Sequence, residues 1–224
     1  KDSMIKHILS GVSPSGCNVV SFKQPTEEEK LHDYMWRVNR KLPPRGHIGV
    51  FNRSYYEDIV VTRVHPQIIL NDYLPNIHSL ADINEEFFEN RYTNIRNYEN
   101  YLTQNGYVIL KFFLHISKAE QKRRFLARID TPRKNWKLSA SDIKERQYWN
   151  KYQAVYQKAI NATATEENPW YVIPSDDKWY SRLIVSNILT KRVNKMPLAY
   201  PTLTAMQKKD LVLAKQFLED EDKY

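Results

Sequence analysis

The sequence predicts an α/β fold: three layers, with helices packed on both faces of a mainly parallel sheet. Three observations predict it. Short apolar runs alternate with helix-period segments along the whole chain. The run at residues 107–114 is apolar on both faces, as a central parallel strand is. The chain has 224 residues, 42% of them hydrophobic, which suffices for one domain with a sizeable core at about 100–200 residues per domain.

The elements follow in order. Met4, Ile5, Ile8 and Leu9 recur at helical spacing, and Gly11 stops that helix. Residues 17–22 read as a short strand. Thr26-Glu27-Glu28-Glu29 is a capping box opening a helix through Leu42, ended by Pro43-Pro44. A second strand covers residues 47–51, and a polar turn at 52–58 enters a helix near 59–64. Residues 83–104 predict a long helix with Phe87, Phe88, Ile95, Tyr98 and Leu102 facing inward. Asn105-Gly106 turns the chain into the strand at 107–114. Ser117-Lys118-Ala119-Glu120 is a further capping box, for a helix to about Asp130. An irregular basic connection follows at 131–138, then a helix opened by Ser139 and running to about Asn161. A last strand at 170–173 and a helix at 177–191 complete the body. The segment 203–224 is an amphipathic helical tail. No internal repeat or linker divides the chain, so 1–224 is expected to be a single domain.

Composition excludes whole classes. Five Gly and eleven Pro exclude collagenous or low-complexity chains, and 15 Tyr are too many for a disordered one. The longest apolar run, 108–114, is interrupted by Lys111 and falls short of the roughly 18 residues of a membrane span. One cysteine, Cys17, excludes a disulfide scaffold and suggests a reducing, cytoplasmic setting; it is expected to be a buried packing residue. The net charge is +8, and residues 118–146 hold ten Lys/Arg against four acids. Such a segment points to a polyanionic partner.

The six histidines lack metal-ligand spacing, and no G-x-S-x-G occurs. Gly11 to Gly16 has the spacing of a phosphate loop, but Cys17 stands where Lys is required; it reads as an ordinary helix-to-strand connection. Lys1 stands directly before an amphipathic helix. An apolar strand ends in Asn52-Arg53-Ser54, and ligands bind at the carboxyl ends of parallel strands. Tyr148, Tyr152 and Tyr156, at helical spacing, read as core or interface packing.

Taken together, these pieces resemble the polyphosphate kinase 2 family over nearly all of residues 1–200. The segment from Gly16-Cys17 through Ser21-Phe22-Lys23 to Pro25-Thr26 matches, as do His32-Asp33-Tyr34 and Trp36-Arg37. Phe51-Asn52-Arg53-Ser54-Tyr55-Tyr56-Glu57-Asp58, with Val61, Arg63, Val64 and His65, resembles the family's Walker B segment. Lys111 through Lys118 and Glu120-Gln121 resemble its fourth strand and helix. Arg124-Phe125, Arg128, Lys134, Trp136-Lys137 and Asp142 resemble its lid. Thr163, Pro169-Trp170 and Asp176-Asp177-Lys178 resemble its last strand and helix. Lys1-Asp2 matches the end of the family's Gly-Lys-Asp loop. The strand and Gly-rich part ahead of it are absent from these 224 residues: either they are part of a longer chain, or the isolated fragment lacks half its phosphate cradle. Asn52 stands where many relatives carry Asp; the form Asn-Arg-Ser-x-Tyr-Glu resembles the class III branch, which phosphorylates nucleoside mono- and diphosphates.

The resemblance implies a P-loop kinase-like, thymidylate-kinase-like fold with a helical lid at about 118–146. It implies phosphoryl transfer between inorganic polyphosphate and AMP, ADP, GMP or GDP, assisted by Mg2+ or, alternatively, Mn2+. Lys1 would hold phosphates, Arg53 would contact the donor or the transferring phosphate, and Asn52 would orient it or a metal-bound water. Glu57 is either a carboxylate near the metal or acceptor, or a helix-start residue favoured by the macrodipole. Lys23 would line the polyphosphate path and Tyr56 would join the binding site. Arg128, Arg133, Lys134 and Lys137 would close as a mobile lid. Trp136 would pack that lid or stack near the base. The acceptor phosphate is already anionic, so no nucleophile–base pair is required. Neither nucleic acid nor membrane is an expected partner; a homo-oligomer, dimer or tetramer, is. Two other readings stand beside this one: an ATP-dependent nucleoside monophosphate kinase of the same fold, and a basic nucleic-acid-binding module at 118–146.

Overall fold

The structure, a computed structural model, describes residues 1–137 and 139–221; for Lys134 and Lys137 it describes the backbone alone. Among the described residues the first helix is α1, Asp2–Ile8, continued by a 3-10 turn to Gly11. β1 is Cys17–Ser21, and the short helices α2, Glu27–Lys30, and α3, Trp36–Asn39, follow. β2 is Ile48–Asn52, α4 Glu57–Val64 and α5 Glu85–Gln104. β3 is Lys111–His115 and α6 Lys118–Ile129. A 3-10 segment, Pro132–Lys137, leads towards α7, Ala140–Glu145, and then α8, Trp149–Thr163. β4, Trp170–Pro174, α9, Lys178–Val193, and α10, Ala205–Glu221, complete the chain.

Every strand pairing is parallel. β1 pairs β2 with Ser21 opposite Asn52, and β3 pairs β4 with His115 opposite Pro174. The expected single layer is divided, however: no ladder joins β2 to β3 among the described residues. These four strands leave the two pairs without a shared ladder.

The main core lies where α4, α5 and α8 pack. Ile59, Val60 and Val64 meet Phe88, Tyr92 and Ile95 there, with Val155 and Ala159 opposite. α5 can serve this core because residues 88, 92, 95, 99 and 102 share one helical face. Its start is fixed by Asn84, whose side chain accepts from the Phe87 N–H at 3.0 Å. Glu85 and Glu86 complement the macrodipole. Its end is fixed by Gly106, whose positive φ of 86° lets the Tyr107 N–H return to the Leu102 carbonyl. The chain divides into two compact units, Lys1–Ser186 and Asn187–Tyr224. The first holds all four strands; the second holds the end of α9 and α10.

Several expectations need correction. The helix opened by Thr26 does not reach Leu42. Its capping box forms, but the helix ends at Lys30 and a turn intervenes before Trp36. Asp33 makes that break: its carboxylate accepts from the Met35 N–H at 2.9 Å, a local bond that competes with the helix. Ser117 caps α6, but Glu120 does not complete a capping box, because Arg123 and Arg124 engage its carboxylate. The helix expected at 139–161 is broken by a 3-10 turn at Arg146–Tyr148. The strand expected at 107–114 begins only at Lys111 and is half-buried rather than covered on both faces. Cys17 is half-buried at the start of β1, not a core residue.

Candidate active site

β2 ends at Asn52, and the next residue turns sharply. Arg53 takes a left-handed backbone with φ of 62°. A non-glycine residue holds that angle at a cost of about 1 kcal/mol or more, and such strain clusters where a side chain must be aimed. The turn brings Asn52 to α1: its Nδ2 donates to Asp2 Oδ1 at 2.9 Å. The other amide atom, Asn52 Oδ1, is buried and has no partner. Four residues on, Glu57 opens α4, and its carboxylate lies 3.8 Å from Arg53 Nε. Lys1 sits in the field of both. Burial, then Arg53, lowers the pKa of the Lys1 side chain, while Glu57 and Asp2 oppose the shift. Burial raises the Glu57 carboxyl above its usual range, tempered by Arg53 and Lys1.

This corner is braced from behind. Arg37, buried on α3, donates to the Lys23 carbonyl at 2.8 Å and to Asp58 Oδ2 at 3.2 Å. It therefore ties the residues beyond β1 to the first turn of α4. Arg91 donates to the Asp58 carbonyl at 2.8 Å from the other side.

On the flank of Lys1 a cavity of about 210 Å3 opens at the ends of β3 and β4. Its charged lining residues, Lys1, Arg124, Lys178 and Arg182, are all cations. Arg124 is held in place: Nε donates to Glu120 at 2.6 Å and Nη2 to the Ser175 carbonyl at 2.6 Å. A second cavity, of about 310 Å3, lies between β3, α6 and α8; Phe113, Phe125, Trp149, Tyr152 and Tyr156 give it aromatic walls. At its rim His65 Nε2 and the Tyr152 hydroxyl both meet Glu145 Oε2, at 3.0 and 2.8 Å.

The structure thus gathers Lys1, Asn52, Arg53 and Glu57. Lys23 is exposed just beyond β1, and the Ser21–Asn52 register puts it at the same sheet end. Tyr56 is different. It is turned into the core, and its hydroxyl donates to Glu99 at 2.8 Å, so it presents no binding surface. Arg128 is half-buried, its guanidinium over the Phe125 ring, and Arg133 is exposed. Trp136 is 77% exposed and donates to the Arg133 carbonyl at 3.1 Å. The side chains of Lys134 and Lys137 lie outside the described residues.

Among the described residues no group of three or more His, Cys, Asp or Glu could hold a metal. The oxygen donors at the corner are two carboxylates, Asp2 and Glu57, and the unpaired Asn52 Oδ1. Sequence reasoning passed over Asp2, Arg124, Lys178 and Arg182 as site residues. One signal for the last two was available: cations at i and i+4 open α9, against the helix dipole.

Comparison with known proteins identifies the family. The profile of the family Polyphosphate kinase 2 (PPK2) matches residues 1–200. An ADP-polyphosphate phosphotransferase of Rhodopseudomonas palustris is 49% identical across 97% of this chain and 74% of its own. An AMP/ADP-polyphosphate phosphotransferase of Meiothermus ruber is 42% identical across 90% of this chain and 70% of its own. The crystal structure of polyphosphate kinase 2 from Arthrobacter aurescens superposes with a TM-score of 0.83 at 36% identity, covering 96% of this chain and 71% of that one. With a profile matched from end to end of the strand-bearing unit and a backbone shared at that level, the chain belongs to the polyphosphate kinase 2 family.

Proposed function

We propose that this chain is a polyphosphate-dependent nucleotide kinase, moving a terminal phosphoryl group between inorganic polyphosphate and nucleoside mono- and diphosphates of adenine and guanine. One observation carries the reading. In a chain of this family, Lys1, Asn52, Arg53 and Glu57 meet at one sheet end, beside a cavity whose charged lining is wholly cationic. Polyphosphate bears about one charge per phosphate, and removing it from water without cations would be prohibitive. The names of the two bacterial relatives support the donor, and the Meiothermus name supports both acceptor forms.

The residues then divide the work. Lys1 grips phosphate oxygens. Arg53, aimed by its left-handed backbone, meets the transferring phosphoryl group, where charge spreads in a loose transition state. The acceptor phosphate is anionic near neutrality, so alignment and neutralisation suffice and no base is needed. Lys23 and the cation-lined cavity carry more distant phosphates. Arg128, Arg133, Lys134 and Lys137 close over them as a lid that also carries Trp136. The aromatic-walled cavity is of a size and chemistry to take the nucleoside.

Mg2+ is the expected cofactor, with Mn2+ as its substitute. The donors fit it: hard oxygens from Asp2 and Glu57, with Asn52 Oδ1 buried and lacking a partner. Mg2+ commonly takes one or two carboxylates and fills its other positions with phosphate and water. Held there, the ion would supply charge neutralisation for the phosphates. No helix among the described residues is long and apolar enough to cross a membrane. The lone Cys17 supports a cytoplasmic setting, and exposed aromatic side chains on α9 support a homo-oligomer.

Comparing donors tests the proposal. The full-length protein should convert AMP and ADP with polyphosphate as the phosphoryl source. Transfer from ATP to a nucleoside monophosphate, with none from polyphosphate, would reject it in favour of an ATP-dependent kinase.

A further inference from the structure

Behind the Asn52–Glu57 turn lies a carboxylate that the chemistry above does not use. Glu99, on α5, is 1% exposed. Its Oε1 accepts from the Tyr55 hydroxyl at 2.7 Å and from the Tyr56 hydroxyl at 2.8 Å. Its Oε2 accepts from Lys111 Nζ at 2.6 Å. Lys111, the first residue of β3 and itself 6% exposed, also donates to the Thr163 carbonyl at 2.8 Å. Burial raises both phenols well above their ordinary pKa, so both remain donors. One carboxylate therefore joins α5, β3, the end of α8 and the link between β2 and α4.

Stability alone does not call for such a group. A buried ion pair is commonly no better than apolar residues of the same volume, because desolvation offsets the attraction. Its position is more telling. Among the described residues the two strand pairs share no ladder, and this network is a polar crossing between them. Tyr55 and Tyr56 occupy two positions between Arg53 and Glu57. A left-handed Arg53 persists only where its surroundings over-determine the backbone.

We propose that Glu99 is a positioning residue for phosphoryl transfer: through the hydroxyls of Tyr55 and Tyr56, its carboxylate fixes the turn that aims Arg53 and sets Glu57. The inference rests on the reading that Arg53 serves the transferring phosphate.

The variant Tyr55→Phe/Tyr56→Phe keeps both rings and removes only the two donors. Assayed in the full-length protein with polyphosphate and ADP, well below its melting midpoint, it should lose kcat by about tenfold or more. The KM for polyphosphate should change by less than about threefold, because misalignment weakens transition-state contacts more than ground-state binding. A second variant, Glu99→Gln/Lys111→Met, removes the carboxylate together with its counter-charge and should lower kcat in the same direction, with the KM for polyphosphate again within about threefold. A network that serves stability alone predicts a lower melting midpoint with unchanged kcat per folded molecule in the first variant, and that result overturns the proposal. If the double Phe variant does not fold, Tyr55→Phe alone is judged by the same kcat criterion. Arg53→Ala separates the two levels. Full turnover there rejects the reading of the site itself. Lost turnover there, with undiminished Tyr55→Phe/Tyr56→Phe, rejects only the role of Glu99.

Discussion

Arg53 is the residue on which the site turns. Its identity and its place after an apolar strand are plain in the sequence; its backbone angle of 62° is not. Nor is the burial of Tyr56, which the family resemblance had placed in the binding site and whose hydroxyl instead donates to Glu99. Arg53→Ala should keep the fold and lower kcat by about a hundredfold or more, the scale of losing one transition-state donor; turnover and circular dichroism on the same sample check this. Glu57 carries a pH prediction. Burial raises its carboxyl above the ordinary 4.5. In the metal-free protein the Glu57 carboxyl should take up its proton as pH drops through a value above 4.5, an acid limb that Glu57→Gln should remove. A carboxyl raised by folding favours the folded state as it protonates, so Glu57 adds stability as pH falls towards 4.5. The acid limb should therefore appear without unfolding, which a melting series across the same pH range would show.

At the scale of elements, local chemistry was legible and its interruption was not. Thr26, Ser117 and Ser139 all act as N-caps, as their spacing indicates. A cap needs only neighbours a few residues away, so sequence suffices to find it. Breaks are harder, because a break such as that at Asp33 sets one short side-chain bond against a helix of good propensity. Glu120 shows the same limit: its spacing fits a capping box, but Arg123 and Arg124 compete for it more strongly as charged partners. α6 carries Arg124 and Arg128, so its cap matters to the cation-lined flank. Ser117→Ala should cost about 1 kcal/mol of stability by urea unfolding. It should weaken polyphosphate binding if fraying of α6 releases Arg124.

For the whole molecule, the Glu99–Lys111 pair is the feature that sequence reasoning came closest to without recognising. Lys111 stood out as the one charge interrupting an apolar run and as part of the family resemblance, and neither pointed to a buried partner. In the fold it is buried against Glu99, a helix residue twelve positions earlier. Lys111→Met alone would strand that carboxylate without its cation and should destabilise the protein by about 3 kcal/mol; denaturant unfolding measures it, and adding Glu99→Gln should recover most of the loss.

The sequence by itself determined the alternation of helices and parallel strands, the caps, the basic stretch at 118–146 and, through its likeness to a family, the phosphate chemistry. Those rest on local periodicity and on residue types in order. Only the tertiary structure decided which charges share a site: that Asp2 takes the Asn52 amide, that Lys178 and Arg182 face Lys1 across a cavity, and that Tyr56 turns inward to Glu99. Those contacts join residues up to about 180 positions apart. Side-chain burial and charge pairing over such separations depend on how the elements pack, and no local pattern encodes that.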